Sequence, residues 1–427
     1  MTEGPGRQVR TPGALAVVVG SMVGVGILLT PPLVARATHS VGAFVAVWVI
    51  GGLVAGCGAA TWAELGARMP RAGGDVVFQR EAWGTSIAVA SGWVMLAGGF
   101  AGSIAAMAAA VARWQAEPLL AGVGVELWSG PVSGRQVVAV LIVAALTAVN
   151  MLGVRPAVAL QGALTWVPVV ALAVLGPAAL FAGPVVVEAQ PVSAGLGDAW
   201  LAVYFTFAGW PAIVYVAGDV VDPSRTLPRA MVGGTLLVTA LYLVIGGCLL
   251  GVFGLAGLRG LGEVGTALAV HALGPTAALG VMAVVGAAIL ASINGTLLGG
   301  ARVAAVLAEA GGLPASLAVV DPRGTPVRAL VALGAVASGL VLSGGFDWLV
   351  SATGLAMTLA GCLTAGAALV LRRGGAAPWT APWWAPWGYL AAGAAVAGDA
   401  LRTADLGTWA FIAVPAGLAL LWGAVRR

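Results

Sequence analysis

The chain has 427 residues, 60% hydrophobic and only 8% charged, with a formal net charge of +4 and a mean hydropathy of +1.02. Soluble globular chains carry about 25% charged residues, so a fully water-facing surface is excluded. All 20 basic residues are arginines, and they gather in short loops and at the ends of apolar blocks, so the basic balance does not point to nucleic acid.

Apolar blocks recur from end to end, each long enough to cross about 30 Å of hydrocarbon as a helix. They predict about twelve helices, near 12–36, 41–69, 84–112, 135–154, 156–183, 198–220, 229–254, 274–309, 326–344, 347–371, 385–401 and 408–424. A transmembrane barrel would need short alternating segments, and none occur. The expected fold class is therefore all-α and polytopic, embedded in a lipid bilayer. Fifteen arginines fall on the side of the amino terminus and five on the other, which predicts that both termini are cytoplasmic. No removable signal peptide is expected, since a short apolar h-region with a small-residue cleavage site is missing. The inner membrane is the expected location.

The first span contains Gly20-Ser-Met-Val-Gly-Val-Gly26 and then Thr30-Pro31-Pro32. Glycines weaken a helix and prolines withhold amide donors, so an interruption is expected here. In the second span, Glu64 lies near the inner end beside Arg68 and Arg71. It reads as an inner-gate ion pair in preference to a proton carrier, although a membrane carboxylate is a functional candidate by default.

The sixth span contains Phe205-Thr-Phe-Ala-Gly-Trp-Pro211, where Gly209 and Pro211 predict a second interruption. Either run alone could be a packing face or a kink. If 12–183 and 184–372 are two halves, with 1–11 as a cytoplasmic segment and 373–427 carrying two further helices, both interruptions fall in the first helix of a half. Paired interruptions of this kind point to a transporter site near the bilayer midplane. Unwinding frees N–H groups for a carboxylate and carbonyls for an ammonium, the two functions of a zwitterionic amino acid. Asp219, just beyond, reads as another gate charge.

Cys57, Cys248 and Cys362 lie inside apolar blocks without paired spacing, so neither a disulfide nor a thiolate metal site is expected. No cofactor, metal or obligatory protein partner is expected either. Towards the end, the run 378–387 carries the tryptophans expected at a membrane–water interface.

Four stretches resemble the amino acid–polyamine–organocation superfamily, most of all its L-type amino-acid transporter branch: GSMVGVGILLTPP at 20–32, WAELGARMPRAGGDVVFQREAWG at 62–84, FTFAGWPAIVYVAGDVVDPSRTLP at 205–228 and SINGTLLGGARVAAVLAEAGGLPASLAVVDPRGTP at 292–326. The resemblance implies a LeuT-like inverted repeat of five plus five helices, two extra carboxy-terminal helices and alternating access. It implies that the N–H groups of Val25 and Gly26, in the glycine run with Gly24, hold a carboxylate. The carbonyls of Met22, Phe205 and Ala208 would hold an ammonium, with the Phe205 ring as a lid and Thr206, Gly209 and Trp210 close to the pocket. Two positions depart from the family. Val25 stands where many relatives have serine, and Pro168, after Gln161 and Thr165, stands where many have a lysine in the place of a sodium ion.

The expected activity is thus an amino-acid permease, sodium-independent, for small neutral substrates. The mode is open among exchange or facilitated movement, proton symport and export. A membrane-embedded enzyme would need a cluster of catalytic side chains within the helices, which the sequence does not offer.

Overall fold

A computed structural model describes residues 9–185, 188–343, 346–373 and 380–425. Each expected apolar block coincides with a helix or a broken helix pair. In chain order the helices are α1 (Thr11–Met22), α2 (Val25–Ala37), α3 (Val41–Arg68), α4 (Asp75–Trp83) and α5 (Thr85–Gly122). Next come α6 (Gly134–Met151), α7 (Val154–Phe181), α8 (Leu196–Phe207), a 3-10 segment (Trp210–Asp219) and α9 (Pro223–Leu258). The rest are α10 (Val264–Leu273), α11 (Pro275–Glu309), α12 (Val327–Ser343), α13 (Phe346–Arg373), α14 (Ala385–Thr403) and α15 (Leu406–Val425).

Among the described residues, nine helices are long and apolar enough to cross a membrane, ten with the broken first pair. The 17-residue α12 and 19-residue α14 occupy the two remaining expected spans. The protein is an all-α multi-pass membrane protein. Helices α4 and α10 lie in stretches that the sequence reading left between spans.

Local chemistry sets the helix ends. Ser40 caps α3 by accepting the Ala43 N–H at 3.1 Å, and Ser133 with Gln136 forms a capping box on α6. Glu263 caps α10 by accepting the N–H groups of Gly265 and Thr266. In the first span, Val23 and Gly24 leave helical geometry, and α1 and α2 meet at a 41° bend. In the sixth, α8 stops at Phe207 and the chain continues as the 3-10 segment. There Pro211 has no amide to offer the Phe207 carbonyl.

Both interruptions lie in the core. Helix α9 runs along α3, and α1 is walled by α9, α7 and α11. Helix α2 lies along α8, while α14 packs on α3 and α13, and α15 on α5. Helix α5 carries π-helical turns at Met95–Gly102, a geometry common at functional sites.

The two ends of the bundle are tied differently. At one, Arg36 donates to the carbonyls of Arg259 (2.8 Å) and Leu261 (2.9 Å), while Arg259 donates to those of Ala35 (3.0 Å) and Thr38 (2.9 Å). Each arginine satisfies carbonyls at the end of the other's helix, where intrahelical donors run out. At the opposite end, Val9 donates its N–H to the Asp219 carbonyl at 2.9 Å and accepts from Val221 at 2.9 Å. Arg302 pairs with the Asp219 carboxylate at 3.1 Å. The exposed Trp383, Trp384 and Trp387 fit the interfacial expectation, whereas positions 378 and 379 lie outside the described residues.

Candidate functional site

The two interruptions touch. A Cβ built on Gly209 would fall on the Ser21 carbonyl group and 2.5 Å from the Met22 nitrogen, so only glycine lets the sixth span lie against the end of α1. Beside this junction is a cavity of about 80 Å³. The first span lines it with Ser21, Met22, Gly24 and Gly26, and the sixth with Phe205, Thr206, Ala208 and Gly209. Seven of the nine expected site residues therefore converge.

The two exceptions are Val25 and Trp210. The Val25 side chain lies outside the described residues, although its backbone begins α2. Trp210 does not line the cavity. Its ring is turned away, edge-on to Trp62 at 4.9 Å and over Gly58, where a Cβ would collide with it. Trp210 lines instead a smaller adjoining cavity that shares Met95, Ala208, Pro211, Tyr215 and Met357 with the first, so it stands beside the pocket without lining it. The ring fills the apolar space between the sixth span and α3.

Sequence reasoning missed the rest of the lining. Helix α5 contributes Met95, Phe100 and Ser103, α11 contributes Ser292 and Thr296, and α13 contributes Met357. Ser292 and Thr296 stand in the stretch of resemblance at 292–326, yet nothing in it marked them as lining, and Met95, Phe100, Ser103 and Met357 lie in no such stretch; chain distance hides their convergence. The π-helical turn that presents Met95 and Phe100 had no sequence signal.

Among the described residues, no charged side chain lines the cavity. A charged ligand group must therefore be met by backbone, and the backbone is suited to it. The first N–H groups of α2 lack intrahelical acceptors, as do the last carbonyls of α8 lack donors. The Met22 carbonyl accepts the buried Tyr242 hydroxyl at 2.6 Å, and the Phe205 carbonyl accepts the Ala208 N–H at 3.1 Å. Each carbonyl oxygen retains a second lone pair.

Several hydroxyls are spent on helix contacts. Thr206 lies 2.6 Å from Thr30 Oγ1 and donates to the Ala202 carbonyl at 2.8 Å, and Ser292 donates to the Gly20 carbonyl at 3.0 Å. Ser21 differs, since its hydroxyl is buried with no hydrogen-bond partner among the described residues. At the cavity wall this hydroxyl is available to bond a polar group in the cavity.

The glycines also set helix spacing. A Cβ on Gly26 would lie 2.7 Å from Thr206 Cα, and one on Gly24 would meet the Ser292 side chain. Gly26 thus serves close approach of α2 to α8 as well as access to the cavity.

The two gate candidates stand apart from the cavity. Glu64 is 5% exposed and pairs with Arg68 at 2.7 Å. It also accepts the N–H groups of Thr380 and Ala381 at 3.1 and 3.2 Å, together with the Thr380 hydroxyl. Asp219 joins the 3-10 segment to α11 through Arg302. Pro168 lines a separate apolar cavity between α7, α10 and α11, and the Gln161 side chain lies outside the described residues.

The amino acid permease family matches residues 10–415. The serine/threonine exchanger SteT of Bacillus subtilis is 28% identical over 70% of this chain and 68% of its own length. The large neutral amino acids transporter small subunit 2 of Oryctolagus cuniculus is 28% identical over 74% of this chain and 61% of its own length. An uncharacterized transporter of Mycobacterium tuberculosis is 32% identical over 77% of this chain and 72% of its own length.

Proposed function

The chain belongs to the amino acid permease family, and from that premise we propose that it carries small neutral amino acids by alternating access, without sodium and chiefly by exchange. The observation that carries this reading is the cavity where the two interrupted spans meet, whose described lining is backbone, hydroxyls and apolar groups with no charged side chain. The N–H groups at the start of α2, from Val25 and Gly26, hold the carboxylate. The carbonyls of Met22, Phe205 and Ala208 hold the ammonium. The Ser21 hydroxyl is a further polar contact, and Phe205 covers the ligand.

A neutral lining disfavours a cationic side chain, because a buried guanidinium or ammonium needs an opposing charge. The small cavity, tightened by Met95, Phe100 and Met357, supports small substrates. Exchange is supported by the name of the Bacillus relative, a serine/threonine exchanger. Pro168 offers neither a side-chain ligand for sodium nor a cation in its place, and it lines a separate apolar cavity, so sodium independence is the part of the proposal that imposed ion gradients test. Residues 12–183 and 184–372 are the two halves that move against each other. The protein sits in the inner membrane with both termini cytoplasmic, which places Glu64, Asp219 and Arg302 at the inner end.

The test uses the purified chain alone in proteoliposomes, with one labelled amino acid and a competition panel of all twenty. Competition by small neutral amino acids supports the assignment. Competition confined to cationic or acidic ones contradicts it, and activity only with a second protein contradicts a self-sufficient carrier.

A further inference from the structure

One buried carboxylate is unused by this function. Asp75 begins α4 and is 4% exposed. Trp62 Nε1 on α3 and Thr364 Oγ1 on α13 each donate to its Oδ1 at 2.7 Å, and the Tyr215 hydroxyl donates to its Oδ2 at 2.7 Å. Tyr215 belongs to the 3-10 half of the sixth span, and its carbonyl accepts the Gly73 N–H at 3.1 Å. The Gly73–Asp75 segment therefore grips Tyr215 at both backbone and hydroxyl. Gly74 lets this happen, since it has φ +46° and a Cβ there would lie 2.8 Å from the Tyr215 ring. Tyr215 also lines the substrate cavity, edge-on to Phe100 at 5.1 Å.

We propose that Asp75 is a positioning residue for transport: through Tyr215 it holds the 3-10 half of the sixth span against α3 and α13, so that reorientation must part the Asp75–Tyr215 bond. The inference rests on the carrier reading above. A buried carboxylate that loses one of three donors keeps its desolvation penalty without compensation. An empty carrier has nothing to offset that loss. A ligand against Tyr215 offsets it to the extent that it binds the parted state better. Slow return of the empty carrier, and hence preference for exchange over net flux, follows from this one contact.

The experiment compares net efflux into amino-acid-free buffer with exchange efflux, from the same loaded proteoliposomes. Tyr215→Phe keeps the ring and removes only the bond to Asp75. It is expected to raise net efflux relative to exchange about tenfold, the effect of one charge-assisted hydrogen bond. Tyr389→Phe removes another buried tyrosine hydroxyl, bonded to Tyr204 and not to Asp75, and is expected to leave the ratio unmoved. An unmoved ratio in Tyr215→Phe, or an equal change in Tyr389→Phe, overturns the inference. A second readout does not depend on flux. With Cys57, Cys248 and Cys362 changed to alanine, Thr296→Cys is labelled from the inner side by an impermeant thiol reagent. Tyr215→Phe is expected to speed labelling, and an unchanged rate overturns the inference. A wild type that moves no amino acid overturns the carrier reading itself, whereas a working exchanger with an unmoved ratio overturns only the role of Asp75.

Discussion

Gly209 rests on the backbone of Ser21 so closely that even one methyl group would overlap the Ser21 carbonyl. Backbone cannot yield as a flexible side chain can. Gly209→Ala should therefore separate the two interruptions, lower thermal stability by about 1–3 kcal/mol and abolish amino-acid binding. Gly56→Ala is the control, since nothing lies within 4 Å of a Cβ at that position. Thermal melts in detergent with and without ligand check this, and a Gly209→Ala protein that binds normally would remove the junction from the site.

A second contact can be relieved by its neighbour. At Gly24 an added Cβ meets the Ser292 hydroxyl, which donates to the Gly20 carbonyl at 3.0 Å. Gly24→Ala alone should destabilise the protein and weaken binding. Adding Ser292→Ala removes the nearest atom and should restore part of both, a coupling that a double-mutant cycle measures. Strict additivity would mean that the two side chains do not compete for the same space.

Glu64 should matter to stability more than to coupling. Its carboxylate joins Arg68 to the backbone at Thr380 and Ala381, so Glu64→Gln loses charge-assisted bonds of about 1–3 kcal/mol. We expect a lower melting temperature with exchange retained. Loss of proton-driven uptake with an unchanged melting temperature would instead make Glu64 the coupling residue.

The spans and both interruptions were legible because glycine and proline act locally, through backbone freedom and missing donors. The cavity was legible only in part. Met22, Gly24, Gly26, Phe205, Thr206, Ala208 and Gly209 announced themselves in two short runs, whereas Ser292, Met357 and Phe100 come from helices whose facing sides a sequence without coordinates cannot reveal. For the same reason the run places Trp210 beside the pocket but says nothing of which way its ring turns. Asp75 was hidden most completely. It stood in an apparent loop, 140 residues from Tyr215 and 289 from Thr364, and only the fold makes it a buried carboxylate.

If backbone groups hold both charges of the ligand, analogues that lack either charge should fail. Amino-acid amides and N-acetyl amino acids should each compete at least about a hundredfold more weakly than the parent, because a buried partner is left unpaired. Competition binding to the purified protein checks this. Equal competition by amides would mean that the site reads the side chain alone.

Uptake into proteoliposomes with sodium, proton and counter-substrate gradients imposed one at a time tests the central claim most directly. Exchange predicts rapid uptake of a small neutral amino acid only when the vesicles are preloaded with counter-substrate, unchanged when sodium is omitted and weakly affected by a proton gradient. Strong uptake into empty vesicles driven by sodium or by an inward proton gradient would contradict it.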